Sequence, residues 1–178
     1  MGILMKNRNY FFAFIIPIFL IVSGCTAKTP LIIATANGDS VTVERLVSEG
    51  VNINEPDSSG YTPLMHAAWS GKIEMVKILI DKGADINKYD KNGYTSLHWA
   101  SSYGYSDIVR LLIDKGADSS LKNNDGQTPF ALAKSYNHID IIKILNPTYY
   151  DSIKLVIITD AFIYRETLSL DDSSFVKS

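Results

Sequence analysis

Three histidines, one cysteine and a scatter of carboxylates are the residues of this 178-residue chain that could do chemistry. His66, His98 and His138 have the side chains of general bases or metal ligands, and Cys25 that of a nucleophile. Their spacing argues against each of these roles. No His-Glu-x-x-His run, paired cysteines, glycine-rich phosphate loop or Gly-x-Ser-x-Gly motif accompanies them. Asp57, Asp85, Asp90 and Asp118 stand where turns are expected, not in facing pairs. No catalytic residue, metal site or cofactor is therefore expected. A single cysteine also excludes a disulfide within the chain.

Composition sets the class. Hydrophobic content of 46% with 20% charged residues suits one folded domain. The net charge of −2 has no run of one sign, which speaks against a nucleic-acid partner.

Residues 1–24 read as a targeting segment. Lys6 and Arg8 precede an apolar run from Tyr10 to Val22. That run is shorter than the ~17–25 residues a membrane-spanning helix needs, and Pro17 interrupts it. A basic start, a short apolar core and small residues behind it form a secretory signal peptide. Its removal leaves 15 basic against 19 acidic residues, a net charge of −4.

The end of that segment, Val22-Ser23-Gly24-Cys25, resembles the bacterial lipobox. The resemblance implies that Cys25 is diacylated and that the peptide is cut just before it, anchoring the chain to a membrane of a bacterial envelope. Thr26 follows the cysteine. In well-studied Gram-negative bacteria an Asp there marks inner-membrane retention, so the outer membrane is the expected location. Residues 25–28 would form a lipidated linker of at most roughly 14 Å before Thr29. With so short a tether, the lipid is also expected to shield an apolar end of the first helix, Ile32 and Ile33.

The mature chain repeats itself. Thr29, Thr62, Thr95 and Thr128 recur every 33 residues, as do Gly38, Gly71 and Gly104, and Gly50, Gly83 and Gly116. In the second unit Thr62 should cap a short helix with Pro63 at its first position, ending at Gly71. A second helix over about 73–82 places Ile73, Val76, Leu79 and Ile80 on one face. Ala84 to Asn87 should then run extended toward a turn at Asp90, Asn92 and Gly93. Helices this short are marginal alone, since fewer than ~12–15 residues seldom hold a helix in water. They must stack.

GYTPLMHAAWSGKIEMVKILIDKGADIN and GYTSLHWASSYGYSDIVRLLIDKGADSS resemble the ankyrin repeat almost position for position. The resemblance implies an α fold: a solenoid of about four helix-turn-helix repeats joined by β-hairpin loops. The units are 29–61, 62–94, 95–127 and 128–146, with 147–178 a C-terminal extension able to cap the stack. Leu155 to Ile158 and Ala161 to Tyr164 suggest two strands, or one strand and a helix, in that extension. Asn137 stands where the other units have the helix-turn glycine. His98 occupies the histidine slot of the family motif, where it bonds the turn.

The resemblance implies protein recognition through the concave face, formed by hairpin tips and first helices, and no enzymatic activity. Carried over by position, the binding residues are Tyr61, Trp69, Lys91, Asn92, Tyr94, Tyr103 and Tyr136. Five are aromatic, a residue type enriched in interface hot spots. Trp99 is expected in the core. Two functions are expected: binding an unidentified envelope protein, or protecting a periplasmic enzyme as an immunity-like partner.

Overall fold

Four threonines start four helices. The computed structural model describes residues 29–156 and 158. Thr29, Thr62, Thr95 and Thr128 lie in extended conformation, and each Oγ1 accepts an amide N–H three residues on, at 3.3, 3.3, 3.4 and 3.2 Å. The helices they cap are α1 (Pro30–Asn37), α3 (Pro63–Trp69), α5 (Ser96–Tyr103) and α7 (Pro129–Ser135). Pro30, Pro63 and Pro129 occupy first positions, where a missing N–H leaves no bond unmade. Each first helix ends in a tight turn, and the chain returns along α2 (Ser40–Ser48), α4 (Ile73–Asp81), α6 (Ser106–Asp114) or α8 (Ile139–Leu145). The turn needs a left-handed residue: Gly71 has φ +71°, and Asn137 supplies φ +58° in the fourth unit.

Stacking gives two layers. Helices α1, α3, α5 and α7 pack in one row, and α4, α6 and α8 in a second, each second helix resting on its own first helix. Leu64, Leu79, Leu97, Val109 and Leu112 are sealed between the rows. The apolar face of α4 differs from expectation. Met75, Val76 and Leu79 are buried, whereas Ile73 and Ile80 are half-buried at its margins. In α1, Ile32 is fully buried within the array and only Ile33, 44% exposed, is left for a lipid to shield.

No strand exists among the described residues, so the loops are not regular β-hairpins. Each is a tight turn closed by a pair of backbone bonds: Asp57 N–H to the Tyr61 carbonyl, Asp90 to Tyr94 and Asn123 to Gln127, with Gly60, Gly93 and Gly126 N–H donating back to the Asp57, Asp90 and Asn123 carbonyls, all at 2.9–3.0 Å. An isolated antiparallel bridge links Tyr89 and Thr95. Residues 86–87 turn instead of extending, because Asp85 Oδ1 accepts the Asn87 N–H at 3.0 Å.

Side chains bond the loops of successive units. Asp85 N–H donates to Asn54 Oδ1 at 2.8 Å, and Asp118 N–H to Asn87 Oδ1 at 2.9 Å. Asn124 N–H donates to the Asn92 carbonyl at 2.9 Å. Here a glycine is required for closeness as well as for its backbone. A Cβ on Gly93 would lie 2.8 Å from Asn124 Oδ1 and 2.9 Å from Asn124 N, whereas one on Gly126, in the same slot one unit later, would meet nothing within 4 Å. Their φ values, +79° and +75°, are nearly equal. Gly126→Ala should therefore cost about 1 kcal/mol for the left-handed backbone alone. Gly93→Ala should cost about 2–3 kcal/mol, the excess being overpacking against the next unit. Urea titrations that give equal losses for the two would contradict the close approach.

Beyond α8 lies a ninth helix, α9, over 147–156. The first apolar run of the extension thus begins in a helix rather than a strand. Asn146 Oδ1 accepts the Tyr149 N–H at 3.0 Å and Pro147 follows the cap, a helix start strong enough to override the β-branched residues after it. Tyr149 packs edge-on against Phe130 of α7, 5.2 Å between centroids, and Tyr150 lies under the Lys143 ammonium of α8. The second run, Ala161 to Tyr164, lies outside the described residues, as do residues 1–28 with Cys25.

Candidate protein-binding surface

Helical spacing puts Met65, His66 and Trp69 on one face of α3, and Trp99 and Tyr103 on one face of α5. Helices α3 and α5 pack side by side, and Tyr61, just before the Thr62 cap, completes the group. Five rings follow one another around a closed circuit. Centroid separations are 5.7 Å from Tyr61 to His66, 6.1 Å to Trp69 and 6.2 Å to Tyr103. The circuit continues 6.2 Å to Trp99 and 5.5 Å back to Tyr61. These rings and Met65 line a cavity of about 220 Å³, open to solvent. Met65 and His66 are buried at 1% and 4% exposure, while Trp69 and Tyr103 are 43% and 49% exposed at the rim.

Two carboxylates fasten these rings from behind. Asp57 Oδ2 accepts the His66 Nε2–H at 3.0 Å, and Asp90 Oδ2 accepts the Trp99 Nε1–H at 3.2 Å. Their other oxygens hold the turns: Asp57 Oδ1 accepts from Ser59 and Tyr61 N–H, Asp90 Oδ1 from Asn92 and Tyr94 N–H. Burial alone would raise the Asp57 pKa. The hydrogen bonds from His66 and from the Tyr61 and Ser59 amides outweigh it, so the pKa falls below the usual 3.8. Burial, and then the charges of Asp90 and Asp57, raise the Tyr61 phenol above 10.0.

The other histidines are structural. His98 is fully buried; its Nδ1 accepts the Thr95 N–H at 3.2 Å and its Nε2–H donates to the Gln127 carbonyl at 3.1 Å. Burial lowers its pKa below 6.5, holding a neutral ring that ties the third unit to the fourth. His138 Nε2–H donates to the Ser102 carbonyl at 3.0 Å. Among the described residues no group of three or more His, Cys, Asp or Glu side chains is placed to hold a metal ion.

The sequence-derived binding residues divide. Tyr61, Trp69 and Tyr103 line the cavity. Tyr94 is half-buried behind it, its ring 4.8 Å from Trp99. Lys91 and Asn92 are exposed at a loop tip but take part in stacking: Lys91 Nζ donates to the Ser58 carbonyl at 2.7 Å, and the Asn92 carbonyl accepts from Asn124. Tyr136, 61% exposed, stands apart from the circuit beside His138. Trp99, expected in the core, is instead a half-buried wall of the cavity. Its spacing of four from Tyr103 was the signal that could have placed it there.

No curated protein matches the chain significantly. A model described as ankyrin repeats (3 copies) matches residues 14–90 and 84–154. Threonine caps, left-handed turns and layered helix pairs agree with that match over most of the chain, and the protein belongs to the ankyrin-repeat family.

Proposed function

We propose that this protein is a binding module that holds another protein on the concave side of its stack, and that a lipid on Cys25 tethers it to a bacterial envelope. Ankyrin repeats generally mediate protein–protein interaction. The observation that carries the binding half is the open aromatic cavity between the second and third units. Trp69 and Tyr103 remain about half exposed there, although they are the large amphipathic residues that interfaces favour. Capture from envelope extracts, wild type against Trp69→Ala/Tyr103→Ala, tests it. A protein held by the first and lost by the second supports the reading; equal capture points away from the concave face.

The anchoring half rests on Val22-Ser23-Gly24-Cys25 after a short apolar segment. Thr26 favours the outer membrane. Cys25→Ser should move the protein from the membrane to the soluble fraction on centrifugation of disrupted cells. A variant that stays as firmly in the membrane would contradict lipid anchoring.

A further inference from the structure

We infer that the five-ring cavity receives the cationic side chain of a lysine or arginine presented by the bound protein. This rests on the concave face being the binding surface, and it specifies the chemistry of that surface. Adjacent centroids around the circuit are only 5.5–6.2 Å apart, so a side chain seated among the rings meets several of them at once, and the faces of Trp69, Trp99, Tyr61 and Tyr103 are of the kind that attract a cation within ~6 Å. The cavity, about 220 Å³, has room for a single side chain. Its floor is the apolar Met65, suited to the methylene stem of such a residue.

Charge favours the same guest. Asp57 and Asp90 lie immediately behind two of the rings, with Asp57's side chain 6% and Asp90 3% exposed. Asp90 accepts only from neutral donors, the Asn92 and Tyr94 amides and the Trp99 indole. Its negative charge is thus held behind the aromatic wall without a cationic partner among the described residues. Nor does the turn demand that charge. One unit later Asn123 does the same work, its Oδ1 accepting from Asp125 and Gln127 N–H at 3.1 and 2.8 Å. The carboxylates therefore stand at the two turns whose neighbouring rings line the cavity, and an amide stands at the turn of the next unit.

Both tryptophans of the chain line the cavity, so the two indole N–H signals in an NMR spectrum of the full chain in detergent report on it alone. The probes are Nα-acetyl-lysine methylamide and its uncharged counterpart, Nα-acetyl-norleucine methylamide. The lysine probe should shift both signals saturably and bind at least about tenfold more tightly than norleucine. Asp90→Asn, which copies the Asn123 turn, should weaken the lysine probe about 3- to 10-fold and leave norleucine unchanged. Equal binding of the two probes, equal loss of both in Asp90→Asn, or no saturable shift would overturn the inference. If the lysine probe fails while Trp69→Ala/Tyr103→Ala still abolishes capture, only the cation assignment falls. If capture survives that double substitution, the concave reading falls with it.

Discussion

Replacing Trp69 and Tyr103 together with alanine is expected to weaken capture of the partner by about 100-fold or more while leaving the stack folded. Each ring lies at the rim of the cavity, 6.2 Å from the other, and each keeps about half its surface in water. An aromatic anchor buried on binding is commonly worth about 2 kcal/mol or more, so two of them correspond to at least two orders of magnitude in affinity. The stability loss should be smaller, about 1–2 kcal/mol, because the substitutions remove ring–ring contacts but open no sealed cavity. Thermal unfolding measured beside capture separates the two effects. A variant that binds normally, or one that unfolds at working temperature, would contradict this placement of the rings.

The largest loss of stability is expected from Leu79→Ala, at about 3–5 kcal/mol. Leu79 is fully buried in α4, where the second unit packs on its own first helix and on α6 of the third. Truncating a sealed leucine removes its transfer free energy and leaves a cavity that short, tightly capped helices cannot collapse around. In a stacked array each unit depends on its neighbours, so damage at a central unit weakens two interfaces. Small domains are stable by only about 5–15 kcal/mol, so such a loss should shift the urea midpoint far downward. A loss near 1 kcal/mol would mean that the interface is looser than the packing indicates.

What could be read from the sequence and what could not divide along a physical line. The period of 33 residues in threonine and glycine reports backbone demands that every unit meets alone: a cap at Thr62, a left-handed turn at Gly71, its Asn137 substitute. These are local, and they led to the fold. The cavity is not local. Tyr61 belongs to a loop before α3 and Trp99 to the middle of α5, and their 5.5 Å approach depends on how one unit is set against the next. Position within a repeat therefore made Trp99 look like core and made Lys91, Asn92 and Tyr136 look equal to Trp69. Stacking uses Lys91 and Asn92 to bond neighbouring loops and leaves Tyr136 apart from the other rings. In the extension, β-branched residues suggested two strands, or one strand and a helix; Asn146 and Pro147 start α9, so the first apolar run begins in a helix.

The claim that the concave cavity holds the partner is tested most directly by photocrosslinking in intact cells. p-Benzoylphenylalanine would replace Tyr103 at the rim of the cavity or, in a second strain, Lys77 on the exposed face of α4. A discrete crosslinked protein is expected from position 103, absent from position 77 and lost when Trp69→Ala is added. Crosslinks formed equally from both positions, or from position 77 alone, would contradict it.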